Sequence, residues 1–206
     1  MLHAKNIAHE VTYLNPKDLP SWLSQLSPLG KVPLLRVLND EGEHEAVVFE
    51  SQVINEFLDE NYGLPLMPQV SLERARQRGF VAVADGILGS LWNWMVAKDT
   101  TGVDDARAAI CQSLRVLNEA LRDDEEFFTG VFGIVDCAML PFFMRLQELE
   151  SAGAEPLPCA DLPRVAAYRR NLLALPLAKT SVVPEFSALY LGFVKSQGGL
   201  LGGGLR

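Results

Sequence analysis

Few cysteines, no basic surplus and no unbroken apolar run are the first features of this chain, and each shortage excludes a class of protein. Cys111, Cys137 and Cys159 are odd in number, widely separated and outside any CxxC or metal-ligand spacing. That argues against a disulfide framework or a zinc site and favours reduced, buried thiols. Net charge is −8, with 10 acids against 4 bases up to Pro68 and 16 against 14 beyond it. No basic face is offered to nucleic acid. Apolar residues make up 49% of the 206, yet the run around Phe142 is cut by Pro141 and Arg145. Nothing approaches the roughly 20 apolar residues of a membrane span. The N-terminal Met1-Leu2-His3-Ala4-Lys5-Asn6 has no cationic start leading into an apolar stretch, so no export signal is read and a cytoplasmic location is expected. No internal repeat is present, and the one low-complexity stretch, the glycine-rich tail 198–204, is expected to be mobile.

What remains is enough apolar sequence for one large or two small domains. Up to about residue 68 the chain mixes short strand and helix patterns; beyond it, apolar positions recur every three or four residues. A linker is placed near Pro65 to Ser71, dividing the chain into domains 1–68 and 69–206. In the first, Met1 to Asn6 reads as the end of a helix. Residues 9–14 read as a strand closed by Asn15-Pro16, and a short helix is expected around Ser21 to Leu26. Val32–Leu38 and Glu45–Phe49 read as two strands joined through Asn39-Asp40-Glu41-Gly42, turn chemistry suited to an antiparallel hairpin. Val53, Ile54, Phe57 and Leu58 mark one face of a helix ending near Tyr62-Gly63. In the second domain, Phe80, Ala84, Ile87, Leu88, Leu91 and Met95 form one helical stripe, and Ala106, Ile110, Leu114, Leu117 and Leu121 another. Asp136 precedes an apolar helix running to about Leu149, Asp161-Leu162-Pro163 reads as a cap with a first-turn proline, and Pro184 opens a last helix.

Chemistry concentrates in two places. Val32-Pro33 is a site where a cis peptide is plausible, since only proline makes that isomer cheap. Ser51 stands where a strand meets a helix, so its hydroxyl and the first free N–H groups of that helix converge on a spot suited to a carboxylate. Each feature alone also fits a plain turn or a plain helix cap. His3, His9 and His44 have no acidic or thiol partner at a telling spacing and read as ordinary histidines.

The segment NPKDLPSWLSQLSPLGKVPLL at 15–35, followed by Val47-Val48-Phe49-Glu50-Ser51, resembles the N-terminal thioredoxin-like domain of cytosolic glutathione S-transferases. Pro20-Ser21-Trp22, Asn61-Tyr62 and Leu66-Met67-Pro68 are most similar to the omega type and to the related stringent starvation protein A. The resemblance implies an α/β thioredoxin-like N-terminal domain, lacking its first β-strand, followed by an all-α helical-bundle C-terminal domain. It implies glutathione as cosubstrate. Val32, beside Pro33, would pair through its backbone with the cysteinyl part, Lys31 could reach a carboxylate, and Glu50 and Ser51 would take the γ-glutamyl ammonium and carboxylate.

Trp92 and Met95 lie on the helix that in this family walls the second-substrate pocket, although aromatic residues at such spacing also simply pack. The resemblance further implies a small electrophilic or disulfide substrate and a homodimer. In Gly133 to Pro141 the family usually has serine or threonine three residues before the aspartate; here Gly133 leaves half a capping box, and a weaker helix start is expected. The family's nucleophile sits at the first strand or the helix after it, and no cysteine precedes Cys111. No catalytic residue is therefore assigned, and residues ahead of Met1 are expected in the natural protein. The implied activity is conjugation or thiol transfer by glutathione, with a non-enzymatic module that binds RNA polymerase, of the stringent starvation protein kind, as the alternative.

Overall fold

The structure is a computed structural model that describes residues 1–206 apart from Pro16, Lys17, Asp40 and Ala160 and the side chains of His44 and Glu45. Pro16 and Asp40, expected in turns, thus lie outside the described residues. The chain divides into two compact units, Met1–Pro65 and Leu66–Arg206.

In the first unit a short helix α1 (Leu23–Leu26) precedes strands β1 (Leu34–Leu38) and β2 (His44–Phe49), and helix α2 (Ser51–Asn61) follows. The strands pair antiparallel, with Leu34 opposite Phe49 and Val37 opposite Ala46, and an irregularity sets in between Val37 and Leu38. Asn39 organises the connection: its side-chain oxygen accepts from the backbone N–H of Glu41 (3.1 Å) and Glu43 (2.8 Å). Gly42 supplies the left-handed φ of 80° that closes the turn.

Met1 to Asn6 forms a helical turn, closed by the Lys5 N–H on the Met1 carbonyl at 3.1 Å. One expectation for this unit is corrected. Residues 9–14 form no strand. Their alternation has no sheet to bury against, since β1 is paired only to β2 among the described residues, and Val11 and Tyr13 lie exposed. The N-terminal turn is nonetheless anchored. The Lys5 ammonium forms a buried ion pair with Asp59 at 2.9 Å and donates to the Asp59 and Tyr62 carbonyls at the end of α2. It satisfies orphan helix carbonyls with a cation, as a helix C-terminus favours.

The second unit is helical: α3 (Ser71–Val96), α4 (Thr100–Ala120), α5 (Ile134–Ser151), α6 (Pro163–Ala174), α7 (Pro176–Thr180), α8 (Phe186–Ser196) and α9 (Leu200–Gly204). α3 is long and apolar enough to cross a membrane by length and composition, but it packs its stripe of Ala84, Ile87, Leu91 and Met95 against α4 and α5. From α4, Ala106, Ile110, Leu114 and Leu117 meet it, and α5 adds Met139, Phe142, Phe143 and Leu149, all buried. The Asp99 side chain caps α4 by accepting from the Gly102 N–H at 2.7 Å.

Two further expectations fail here. The cap of α6 is not Asp161. Leu162 occupies the cap position without a side-chain bond, and Asn118, from α4, accepts from the Arg164 and Val165 N–H groups at 3.1 and 3.2 Å. The glycine tail is not loose either, because it forms α9 and buries Leu201 and Leu205. Its glycines permit a contact no side chain would: a Cβ on Gly199 would stand 2.1 Å from the Met95 carbonyl oxygen, and one on Gly202 2.9 Å from the Lys195 Cα.

Candidate functional site

The loop from Ser27 to Pro33 is shaped by a residue that sequence reasoning passed over. Ser27 is buried, and its hydroxyl donates to the Lys31 carbonyl while accepting from the Lys31 N–H, both at 2.9 Å. With Gly30 at φ 63°, this clamp delivers the chain to a cis Val32-Pro33 bond immediately before β1. Val32 is 60% exposed.

The opposite strand ends at the same place. Since Leu34 faces Phe49, continuing the register sets Pro33 against Glu50, at the roughly 5 Å separation of antiparallel neighbours. Glu50 holds a left-handed φ of 69° with ψ 120°, an uncommon conformation for a residue with a side chain, and Ser51 opens α2. The Glu50 side chain makes no capping bond to the first N–H groups of α2. The structure thus gathers Lys31, Val32, Pro33, Glu50 and Ser51 at one exposed end of the hairpin. A backbone edge, a helix N-terminus with a hydroxyl, one carboxylate and one ammonium suit an extended zwitterionic peptide.

Trp92 and Met95 belong to the second unit and are treated differently by the fold. Trp92 is 45% exposed, its ring 6.1 Å from that of Phe193. Met95 is 4% exposed, and the Tyr190 hydroxyl donates to its sulfur at 3.6 Å. The Arg145 guanidinium lies 6.0 Å from the Tyr190 ring centre and donates to the Pro141 carbonyl at 3.0 Å. Burial lowers the pKa of Arg145, and burial pushes that of Tyr190 up to about 12 with Arg145 acting the other way. Neither Arg145 nor Tyr190 stood out in the sequence, because both sit within ordinary helical stripes.

Asp136 is buried at the start of α5, where its carboxylate accepts from the N–H groups of Gly133 (2.7 Å) and Phe128 (3.1 Å) and from the Tyr168 hydroxyl (2.5 Å). Burial raises its pKa, with the three bonds opposing. The half capping box is thus supplemented from the preceding loop and from α6. His3 and His9 meet edge to face at 5.0 Å, and no cluster of three metal-ligating side chains occurs among the described residues.

Residues 1–61 match the family model of the glutathione S-transferase N-terminal domain. Mouse (Mus musculus) glutathione S-transferase omega-1 is 31% identical over 198 residues, which cover 93% of this chain and 79% of that protein. Pyrimidodiazepine synthase of Drosophila melanogaster is 32% identical over 152 residues, 73% of this chain; the match spans only 59% of that relative's length. A glutathione transferase family member from Pseudomonas fluorescens, solved with bound glutathione, is 27% identical and superposes with a TM-score of 0.62, covering 89% of this chain and 90% of that one. The chain belongs to the glutathione S-transferase family. Within it the chain is omega-like, with a thioredoxin-like N-terminal domain reduced to a two-stranded sheet and a helical C-terminal domain.

Proposed function

We propose that the chain binds glutathione along the open end of its hairpin and uses it for conjugation or thiol transfer. The observation that carries this reading is the register of Leu34 against Phe49, which brings the Val32-Pro33 edge and the Glu50-Ser51 corner together. The cysteinyl part pairs with the Val32 backbone as a one-residue strand addition. At one end, Glu50 takes the γ-glutamyl ammonium, while the Ser51 hydroxyl and the first N–H groups of α2 take its carboxylate, helped by the helix dipole. Lys31 balances the glycyl carboxylate at the other end. The solved relative with glutathione bound supports this choice of ligand.

In this reading the first unit supplies binding and orientation for the glutathione sulfur. Trp92 and Met95 on α3 are the residues of the second unit proposed to face a small electrophilic or disulfide second substrate. A homodimer and a cytoplasmic location belong to the same reading, on the strength of membership in the glutathione S-transferase family.

Calorimetric titration with reduced glutathione tests the proposal. Ser51→Ala, which removes a hydrogen bond to a charged group, is expected to weaken binding about 10- to 100-fold. Lack of binding by the unaltered chain, or unchanged affinity in Ser51→Ala, refutes it.

A further inference from the structure

One guanidinium packed into the second unit has no acid beside it. Arg107 meets Glu155 at 2.9 Å, Arg164 meets Asp123 at 2.8 Å and Arg169 meets Glu150 at 2.6 Å, so this unit ordinarily neutralises an arginine laid against its helices. Arg145, on α5, is partly buried and forms no ion pair among the described residues. Of its five N–H donors one goes to the Pro141 carbonyl at 3.0 Å, and the guanidinium stands over the Tyr190 ring, 6.0 Å from its centre. An arginine stays protonated at neutral pH. Taking that charge partly out of water costs free energy that one carbonyl and one ring face offset only in part.

A second donor in the same place is also underused. The Tyr190 hydroxyl, on α8, donates to the Met95 sulfur at 3.6 Å, and a thioether is a weak acceptor. Around the two donors lies flat apolar surface. Phe186 stacks on the Tyr190 ring at 5.8 Å with the planes 7° apart, and Phe193 stands 6.1 Å from Trp92 of α3. Positions 186, 190 and 193 are four and three apart, so α8 turns its aromatic residues to one side.

We infer that Arg145 and Tyr190 are the anion-binding end of a ligand site within the second unit, and that the site takes an aromatic carboxylate. The guanidinium fork matches the two oxygens of a carboxylate, and the Tyr190 hydroxyl exchanges sulfur for one of those oxygens, a far better acceptor. The ring of the acid packs on the aromatic side chains of α8. A neutral ligand of the same shape leaves the cation unanswered, so the site selects by charge before size. Binding needs the second unit alone. Only its catalytic meaning rests on the glutathione reading, in which such an acid is the second substrate.

The intact chain is titrated, without glutathione, with naphthalene carboxylate and with its neutral carboxamide, while the Trp92 indole N–H and the Arg145 Nε–H are followed by NMR. The acid is expected to bind at least about 10-fold more tightly than the amide and to shift both signals. Arg145→Met is expected to bring the two affinities together. Arg145→Lys, which keeps the charge and loses the fork, is expected to retain part of the preference, and it stands in should the methionine variant fail to fold. The inference is overturned if neither compound binds at millimolar concentration, if acid and amide bind alike, or if a folded Arg145→Met or Arg145→Lys variant keeps the full preference. Because glutathione is absent throughout, failure here leaves the hairpin reading standing, and failure of glutathione binding leaves this one.

Discussion

At the scale of single residues, Asp136 shows how a position marked in the sequence for folding acquires its value from tertiary partners. It answers three buried donors, on Gly133, Phe128 and Tyr168. Removing it leaves two backbone N–H groups and a hydroxyl unpaired in an apolar interior, and each such orphan costs about 1–3 kcal/mol. Asp136→Ala is therefore expected to lower unfolding stability by about 3–5 kcal/mol, read from urea denaturation, whereas Tyr168→Phe is expected to cost about 1 kcal/mol. Since burial raises the folded-state pKa above the ordinary 3.8, the proton is held more tightly in the folded protein. That contribution is complete below 3.8 and is lost as pH rises through the raised value. The motif around Asp136 was legible because a capping box is a local pattern. Its Phe128 and Tyr168 partners were not, because they come from separate segments with nothing in their spacing to announce them.

Among elements, the same divide between local and distant causes recurs. The hairpin was legible in two strand-like runs joined by the turn residues 39–42, and the α3 and α4 stripes followed from their three- and four-residue spacing. Residues 9–14 carry the same alternation and form no strand, because a strand exists only by pairing and periodicity cannot say whether a neighbour is present. The tail misled in the opposite direction. Glycine-rich composition suggests freedom, but here the missing side chains admit backbone against backbone where α9 meets the end of α3. Gly199→Ala must displace the Met95 carbonyl and is expected to destabilise by about 1–3 kcal/mol in the same denaturation assay. Gly203→Ala, with open space around the added methyl, is expected to be neutral or stabilising by up to about 1 kcal/mol. Equal losses from both would mean that α9 does not pack as described.

Taken whole, the molecule joins two units built on different principles. The first rests on a two-stranded sheet and one 11-residue helix, the second on a continuous apolar core shared by α3, α4 and α5. A two-stranded hairpin is marginal in water unless other elements cover it. Hydrogen exchange is accordingly expected to show the amides of β1 and β2 opening at least about 100-fold more readily than those of α5, with uniform protection across both units as the contrary result. A shift in composition near Pro65 to Ser71 is visible in the sequence, and the structure divides into units at Pro65 and Leu66; the register that sets Leu34 opposite Phe49 depends on pairing between strands that residue spacing alone does not specify.

Lys5 and the segment 205–206 are both held to helices. Lys5 is buried against the carbonyls that close α2, while at the other terminus Leu205 is buried and the Arg206 N–H donates to the Ala152 carbonyl at 2.9 Å. Lys5→Ala would therefore strip a buried carboxylate of its cation and α2 of the donor at its closing carbonyls, a kind of loss that costs about 3–5 kcal/mol in a fold.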